Sequence, residues 1–395
     1  MLANFIVGPG KIELRKIELP EPARGELLVK IKAALTCGTD LKAFMRGHPM
    51  IPMPHLFGHE FSGVIASVGK GVNGFRETDE IMSVHSAPCL KCSYCGKKAF
   101  NLCEKIMDTK VLGAFAEYIL LPAHIVKQNV FHKPENITFE EAAFLEPLSC
   151  VVHSIESLNI QKGDKALVIG AGPIGLLHLL LLREKGVLVT VMDKHSSKLR
   201  IAKQLGAHSV FTSNPLLPPF RKGEDNEIFN VDKSPNKISP SLGKLSSSSP
   251  FRKSSSPPFG KLSSSPPFGK GGYGGISEKC RSFIGFDYVF ECTGRPEVWE
   301  SSVNYVRRGG TVILFGGCPS GTRVSYDTGR LHYDEITLKG VFHYTPTDVR
   351  KAYKLLCSGK LEVSKLISGI YSLRNIKKAF DKLSKGEGIK YAIIP

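Results

Sequence analysis

Residues 165–193 read KALVIGAGPIGLLHLLLLREKGVLVTVMD. Within them, 166–169 is an uninterrupted apolar run, the pattern of a strand buried on both faces. Gly170, Gly172 and Gly175, with Pro173 and Ile174 between the last two, open a Leu-rich helix that the pattern carries to about Lys185. A second strand at 188–192 closes on Asp193. Strand, glycine turn, helix, strand and terminal acid is the order of a dinucleotide-binding unit. The glycines allow a tight turn and bring a pyrophosphate to the free N–H groups and positive dipole end of the helix. Asp193 is suited to accept hydrogen bonds from the adenosine ribose hydroxyls and to repel a 2′-phosphate, which favours NAD over NADP. Lys194, beside it, offsets part of that repulsion.

The alternation continues outward. Residues 196–205 are helical by pattern and 209–212 form another strand, so the expected fold is α/β with a doubly wound parallel sheet. At Asn214 the order fails. The stretch 214–276 carries 10 of the chain's 25 prolines, and the unit SSSPPFGKL at Ser254 returns as SSSPPFGK at Ser263. Such composition buries too little apolar surface to offset the entropy of ordering, so a disordered surface insertion is expected. It replaces or shortens a helix, of which 277–283 remains. Beyond it, 287–290 and 311–315 read as sheet strands with a helical stretch at 297–306 between them. Segments 348–359 and 373–383 read as helices and 390–394 as a last strand. Upstream, residues 1–150 are mostly β: 26–33 (ELLVKIKA), 60–68 (EFSGVIASV) and 116–121 are short runs set between Gly and Pro.

Composition narrows the classes of function. Hydrophobic content of 42% and charged content of 23% are those of a soluble globular chain. The longest apolar run, about 174–182, is interrupted by His178 and stops at Arg183, short of a membrane span. Residues 1–9 lack the basic start and apolar stretch of a signal peptide, so a cytoplasmic protein with reduced cysteines is expected. The net charge of +17 is spread along the chain without a dense basic block, which argues against a nucleic-acid partner.

Two sets of residues have the chemistry of metal ligands. Cys89, Cys92, Cys95 and Cys103, with two residues between the first three and seven before the last, suit a tetrahedral Zn²⁺ whose four positions are all filled, a structural site. Cys37-Gly-Thr39-Asp40, Gly58-His59-Glu60 and Glu146-Pro147 together offer a thiolate, an imidazole and carboxylates. That set suits a zinc ion with one position open to water or substrate, although its long spacing is weak evidence alone.

These residues resemble the zinc-dependent medium-chain alcohol dehydrogenases, nearest the branch of sorbitol and threonine dehydrogenases. The carrying motifs are Cys37-Gly-Thr-Asp40, Gly58-His-Glu60, the four-cysteine lobe, Glu146-Pro-Leu-Ser-Cys150, Gly170-Ala-Gly-Pro-Ile-Gly175 and Glu291-Cys-Thr-Gly294, in the family's order over nearly the whole chain apart from the insertion. The resemblance implies a GroES-like β-rich catalytic domain over 1–150, a Rossmann domain over 151–345 interrupted at 214–276, and a return to the catalytic domain over 346–395. It implies two zinc ions per chain: a structural one on the four cysteines, and a catalytic one bound by Cys37 and His59 with Glu60 and Glu146 as ligands or exchanging partners. It makes Gly170, Gly172, Pro173, Ile174, Gly175 and Asp193 NAD-binding residues, adds Lys198 and Thr293 to them, and gives the Thr39 hydroxyl the first step of the proton exit. A homodimer or homotetramer is implied as well. The implied reaction is hydride transfer from an alcohol or polyol to NAD, giving a ketone or aldehyde. Two alternatives stand beside it: a threonine dehydrogenase-like activity, and a scaffold that binds NAD and zinc but is impaired by the insertion. Many family members carry histidine where this chain has Lys42; His48 is the nearby candidate to replace it, and the change weakens the threonine dehydrogenase alternative.

Overall fold

In a computed structural model, which describes residues 1–48, 51–212 and 285–395, the apolar run after Lys165 becomes the strand Lys165–Ile169, its last four residues buried. It lies inside a six-stranded, all-parallel sheet. The order across that sheet is Ser209–Thr212, Leu188–Asp193, Lys165–Ile169, Phe286–Glu291, Val306–Leu314, Thr337–Gly340. Chain order reverses between Lys165–Ile169 and Phe286–Glu291. The carboxyl ends of the strands at such a switch point leave a crevice where parallel sheets bind ligands.

The helix Pro173–Glu184 follows Gly172 with proline in its first turn, where the missing N–H costs nothing. Its interior is buried all round. His178 keeps its place there because Ser154 Oγ and the Ile174 carbonyl take its two ring nitrogens, at 2.8 and 2.9 Å. Burial pushes its pKa down to about 4, so the ring is neutral. Among the described residues no helix is long and apolar enough to cross a membrane.

The rest of the chain builds a small antiparallel sheet, ordered Lys11–Lys16, Leu2–Gly8, His55–Leu56, and a seven-stranded one. The path of the larger sheet runs Ile367–Ser372, Lys390–Ile394, Leu27–Leu35, Glu60–Val68, Glu80–Ser83, Val130–His132, and Tyr118–Leu121 pairs with Leu27–Leu35. The C-terminal strand thus lies beside one that forms near the start of the chain. Helix Leu145–Glu156, which carries Glu146, packs on helices Pro173–Glu184 and Pro346–Cys357. One continuous core joins Leu35 and Met82 of the seven-stranded sheet to Val168 and Val191 of the parallel one.

The structure departs from the sequence reading in places. The helix expected over 297–306 is Pro296–Ser302, and Val306 already starts the next strand. Gly309 and Gly310 hid that start, because glycine carries no strand pattern. The strand Ile367–Ser372 alternates half-buried and exposed positions and was not foreseen, nor was helix Gly38–Arg46. The low-complexity stretch 214–276, and the helix remnant at 277–283, lie outside the described residues.

Helix Pro346–Cys357 begins with a capping box. Thr345 Oγ1 accepts from Asp348 N, and the Asp348 carboxylate accepts from Thr345 N at 2.8 Å. The same carboxylate meets His153 Nδ1 at 2.9 Å, tying this helix to Leu145–Glu156. Burial would raise the Asp348 pKa, but His153 and Thr345 outweigh it and hold it below the usual carboxylate value. A depressed folded pKa gives stability that is present above the unfolded value of about 3.9 and is lost as pH falls through the folded one. Asp348→Asn is therefore expected to lower the urea midpoint at pH 7 and to reduce the pH dependence of stability below about pH 4. An equal loss at pH 7 and pH 2.5 would contradict this.

Candidate active site

Strand register assembles the site. Glu60 begins its strand directly opposite Leu35, and on the other side of Leu27–Leu35 the C-terminal strand pairs Ala392 with Leu35. Thr36 continues that pairing: its N–H donates to the Tyr391 carbonyl at 3.0 Å, and its Oγ1 accepts from Tyr391 N at 2.9 Å. One sheet end thus carries Cys37, Glu60 and Lys390, residues remote in sequence. His59 is aimed there by Gly58, whose φ of 87° only glycine tolerates readily. A Cβ at Gly58 would come within 2.6 Å of the Phe115 ring.

The ligand atoms of Cys37, His59 and Glu60 lie within 4.8 Å of one another. Cys37 N-caps helix Gly38–Arg46, its Sγ accepting from Thr39 N at 3.4 Å. Behind His59, Asp40 Oδ1 stands 3.4 Å from Nδ1, which fixes the ring and leaves Nε2 to face outward from that pair. Glu60 is gripped by Lys390, whose Nζ also donates to the Thr36 carbonyl at 2.7 Å. Apart from the 3.4 Å ion-pair contact of Asp40 Oδ1 with His59, both Asp40 oxygens and Glu60 Oε1 are buried without a hydrogen-bond partner. Burial and the Glu146 charge raise the Glu60 pKa, with Lys390 pulling it back. For His59, burial opposes protonation, but Asp40 and Cys37 win and raise its pKa well above the ordinary value. A buried pocket with a surplus of negative donors fits a divalent cation.

Glu146 stands apart from this trio. Its Oε1 is 3.4 Å from His85 Nδ1, and the His85 ring lies 5.0 Å from that of His59. Burial works against ionisation of Glu146, yet the His85 hydrogen bond and the charge of His59 keep its pKa low. His85 belongs to a buried chain: Tyr344 Oη is 3.3 Å from its Nδ1 and 3.0 Å from Ser86 Oγ, which is 2.6 Å from His343 Nε2. Pro147 occupies the first turn of helix Leu145–Glu156, so the Glu146-Pro147 pair starts a helix.

The four-cysteine lobe is a second cluster within the same 4.8 Å limit. Cys89 and Cys95 sulfurs are 4.0 Å apart and Cys92 and Cys95 3.6 Å, far beyond a disulfide bond. A tetrahedron with Zn–S bonds of ~2.3 Å has edges of about 3.8 Å, so the spacing fits zinc. Burial raises the Cys103 thiol's pKa, and backbone N–H groups of Cys89 and Lys105, donating to its Sγ from 3.3 and 3.4 Å, offset part of that rise.

The glycine turn faces a cavity of about 250 Å³. Of the residues expected to hold NAD, Gly170, Gly172, Asp193, Lys198 and Thr293 line it. Pro173, Ile174 and Gly175 do not. Gly175 instead lets the helix approach the turn: a Cβ there would lie 1.8 Å from the Gly170 carbonyl oxygen. Asp193 braces the turn, accepting from Ala171 N and His195 N, both at 2.8 Å. Glu291, fully buried, holds the opposite turn by accepting from Thr293 N at 2.7 Å and from Thr293 Oγ1. Cys292, Arg295 and His195 also line the cavity, and sequence reasoning gave none of them. Lys390 and His85 were missed as well. A lysine opening an otherwise apolar last strand was the one signal available for the first.

Comparison with known proteins agrees with this geometry. The model for the alcohol dehydrogenase GroES-like domain matches residues 23–134, and that for zinc-binding dehydrogenases matches 272–358. A model for an FAD binding domain matches only 164–210, the strand–turn–helix–strand unit with its neighbouring strand. The D-arabinitol dehydrogenase 1 of Uromyces fabae is 27% identical over 100% of this chain and 97% of its own. The sorbitol dehydrogenase of Halalkalibacterium halodurans is 27% identical over 96% and 94%. Among solved structures, a zinc-binding dehydrogenase from Sinorhizobium meliloti bound to NADP superposes with a TM-score of 0.75 at 25% identity, covering 100% of this chain and 99% of that one. A parallel dinucleotide sheet joined to a GroES-like half defines an oxidoreductase of the zinc-binding dehydrogenase class. The chain belongs to the zinc-dependent medium-chain alcohol dehydrogenases, on their sorbitol dehydrogenase-like branch.

Proposed function

We propose that the chain oxidises a polyol or secondary alcohol with NAD, holding a catalytic zinc on Cys37, His59 and Glu60 and a structural zinc on Cys89, Cys92, Cys95 and Cys103. The observation that carries this reading is one thiolate, one imidazole and one carboxylate within 4.8 Å of each other, in a chain whose glycine turn and Asp193 face a common cavity of about 250 Å³. Held by Cys37, His59 and Glu60, a zinc ion would supply Lewis acidity towards a substrate hydroxyl, and NAD held at the glycine turn would supply a hydride acceptor. The protein's own residues do the rest. Asp40 fixes His59, and Lys390 holds one Glu60 oxygen and leaves the other turned away from it. Glu146, kept ionised and oriented by His85, is an outer carboxylate next to the Cys37, His59 and Glu60 trio and adds negative charge to the pocket. Thr39, on the first turn after Cys37, starts the proton exit. Asp193 and Lys198 take the adenosine ribose, and Thr293 lies against the cofactor between the two glycine turns.

The polyol names of the relatives support the substrate class, and the acid at Asp193 supports NAD over NADP. The proposed division is a catalytic part over 1–150 and 346–395 and a nucleotide-binding part over 151–345. A cytoplasmic homodimer or homotetramer completes the reading. The test is a panel of polyols, short secondary alcohols and threonine, with NAD and with NADP, followed by nicotinamide absorbance. Reduction of NAD by at least one polyol, abolished by chelator, is expected. Activity unaffected by metal removal, or none on the whole panel, would overturn it.

A further inference from the structure

Residues 341–345 join Thr337–Gly340, the last strand of the parallel sheet, to helix Pro346–Cys357. His343, in their middle, has a φ of 62°. That left-handed conformation is costly for a residue with a Cβ and persists only where the surroundings dictate it. The ring accounts for part of the hold: Nε2 is 2.6 Å from Ser86 Oγ, and the ring stacks on Tyr344 at 3.9 Å. The backbone is held more sparingly. Among the described residues a single hydrogen bond reaches the main chain of Phe342, His343 or Tyr344: the side-chain amide of Asn101 donates to the Phe342 carbonyl at 3.1 Å. The Phe342 side chain, 44% exposed, adds no anchor in the core.

Asn101 sits on the short turn Phe100–Leu102 of the four-cysteine lobe, next but one to Cys103. The base of that lobe carries the other partners. Val111 N donates to the His85 carbonyl at 2.8 Å, closing the loop that holds all four cysteines, and Asn129 Nδ2 donates to the Ser86 carbonyl at 2.8 Å. The lobe therefore clasps 342–344 from two places, from its base through Ser86 and His85 and from its rim through Asn101. What the clasp fixes lies beside the metal cluster. Tyr344 Oη and Glu146 Oε1 both meet His85 Nδ1, and the His85 ring is 5.0 Å from that of His59. Resting on the dehydrogenase reading above, we propose that Asn101 is a positioning residue for turnover. Through the Phe342 carbonyl it keeps His343 left-handed, and so keeps Tyr344 and Ser86 against His85, and His85 against Glu146. The lobe thereby ties the four-cysteine site to the pocket at Cys37, His59 and Glu60.

Crystal structures of the full chain, parent and Asn101→Asp, test the clasp with no turnover needed. Aspartate keeps the shape and loses the donor. In the variant His343 is expected to leave the left-handed region, with its Nε2 beyond hydrogen-bond reach of Ser86 Oγ, about 3.5 Å. Oxidation of sorbitol and D-arabinitol, followed by nicotinamide absorbance, reads the consequence. There kcat should fall about fivefold or more, the scale of one lost hydrogen bond, and Asn101→Ala should match aspartate. Zinc should stay at two ions per chain, matching the two clusters of ligand atoms, and NADH affinity within about twofold. NADH binding is read from the fluorescence of Trp299, the single tryptophan, which adjoins Val298 of the cofactor cavity. In a cycle with Ser86→Ala the two losses in kcat should fall short of additive, because both break one path. A variant structure with His343 and Ser86 in their parental places would overturn this inference alone. So would a loss of zinc or of NADH affinity as large as the loss in kcat, since the effect would then be on the fold. A parent that oxidises neither these two polyols nor anything else on the panel would overturn the dehydrogenase reading, and the two structures would still decide the clasp.

Discussion

Cys37→Ser is expected to lower kcat/KM for alcohol oxidation by at least about a thousandfold, because the lost Lewis-acid stabilisation amounts to several kcal/mol and each ~1.4 kcal/mol is tenfold. Serine keeps the size and the helix cap. Cys37 N-caps helix Gly38–Arg46, and a hydroxyl accepts from Thr39 N as the thiol does. The fold should therefore survive, and the change should be confined to the metal. Zinc content should fall from two ions per chain towards one, matching the two clusters of ligand atoms. Trp299-monitored NADH binding should stay within about threefold of the parent, since the residues lining the cofactor cavity are untouched. The four-cysteine lobe supplies the contrast. Its site is closed by four sulfurs and backed by backbone N–H donors, so it should release zinc to a chelator more slowly than a three-ligand site with an open position. Chelator should then abolish activity well before the chain unfolds. A Cys37→Ser protein that keeps two zinc ions and normal turnover would remove the metal centre from the mechanism.

How much of this was legible in the sequence depends on distance along the chain. The dinucleotide unit is local: strand, turn, helix and acid lie within 165–193, each position marked by its own chemistry, and the strand Leu188–Asp193 ends on the acid as expected. The cysteine lobe is equally local. The trio at Cys37, His59 and Glu60 was readable only through resemblance, because strand pairing, not spacing, brings those side chains together. Glu60 and Glu146 could not be ranked beforehand. Their difference is set by Lys390 on one and His85 on the other, and neither partner is near in sequence. The third glycine of the turn read as a ligand contact, whereas its work is backbone packing, which only coordinates reveal. Lys42 illustrates the same limit: a departure from a familiar pattern is visible in the letters, but its reach to Gly317 is a tertiary fact.

Lys390→Met should be among the most destabilising single changes in the molecule, about 3–5 kcal/mol, the range for breaking a buried ion pair from one side. Lys390 and Glu60 side chains are each 1% exposed, so solvent screens neither. Methionine fills much the same volume without charge, which isolates the electrostatic loss from a cavity. The change strands the Glu60 carboxylate, whose Oε1 already lacks a donor, and removes the hydrogen bond to the Thr36 carbonyl one residue before Cys37. Zinc bound beside Glu60 would repay part of this deficit by supplying the missing positive charge. The loss should therefore be larger in metal-stripped protein than in zinc-loaded protein, as read from urea midpoints under both conditions. Adding Glu60→Gln to Lys390→Met should recover stability in the stripped protein, since no buried anion is then left uncompensated, while reducing zinc retention at the Cys37 site. A double-mutant cycle with no coupling between the two positions would show that Lys390 merely fills space at the sheet end, and the account of how Glu60 is held would fail with it.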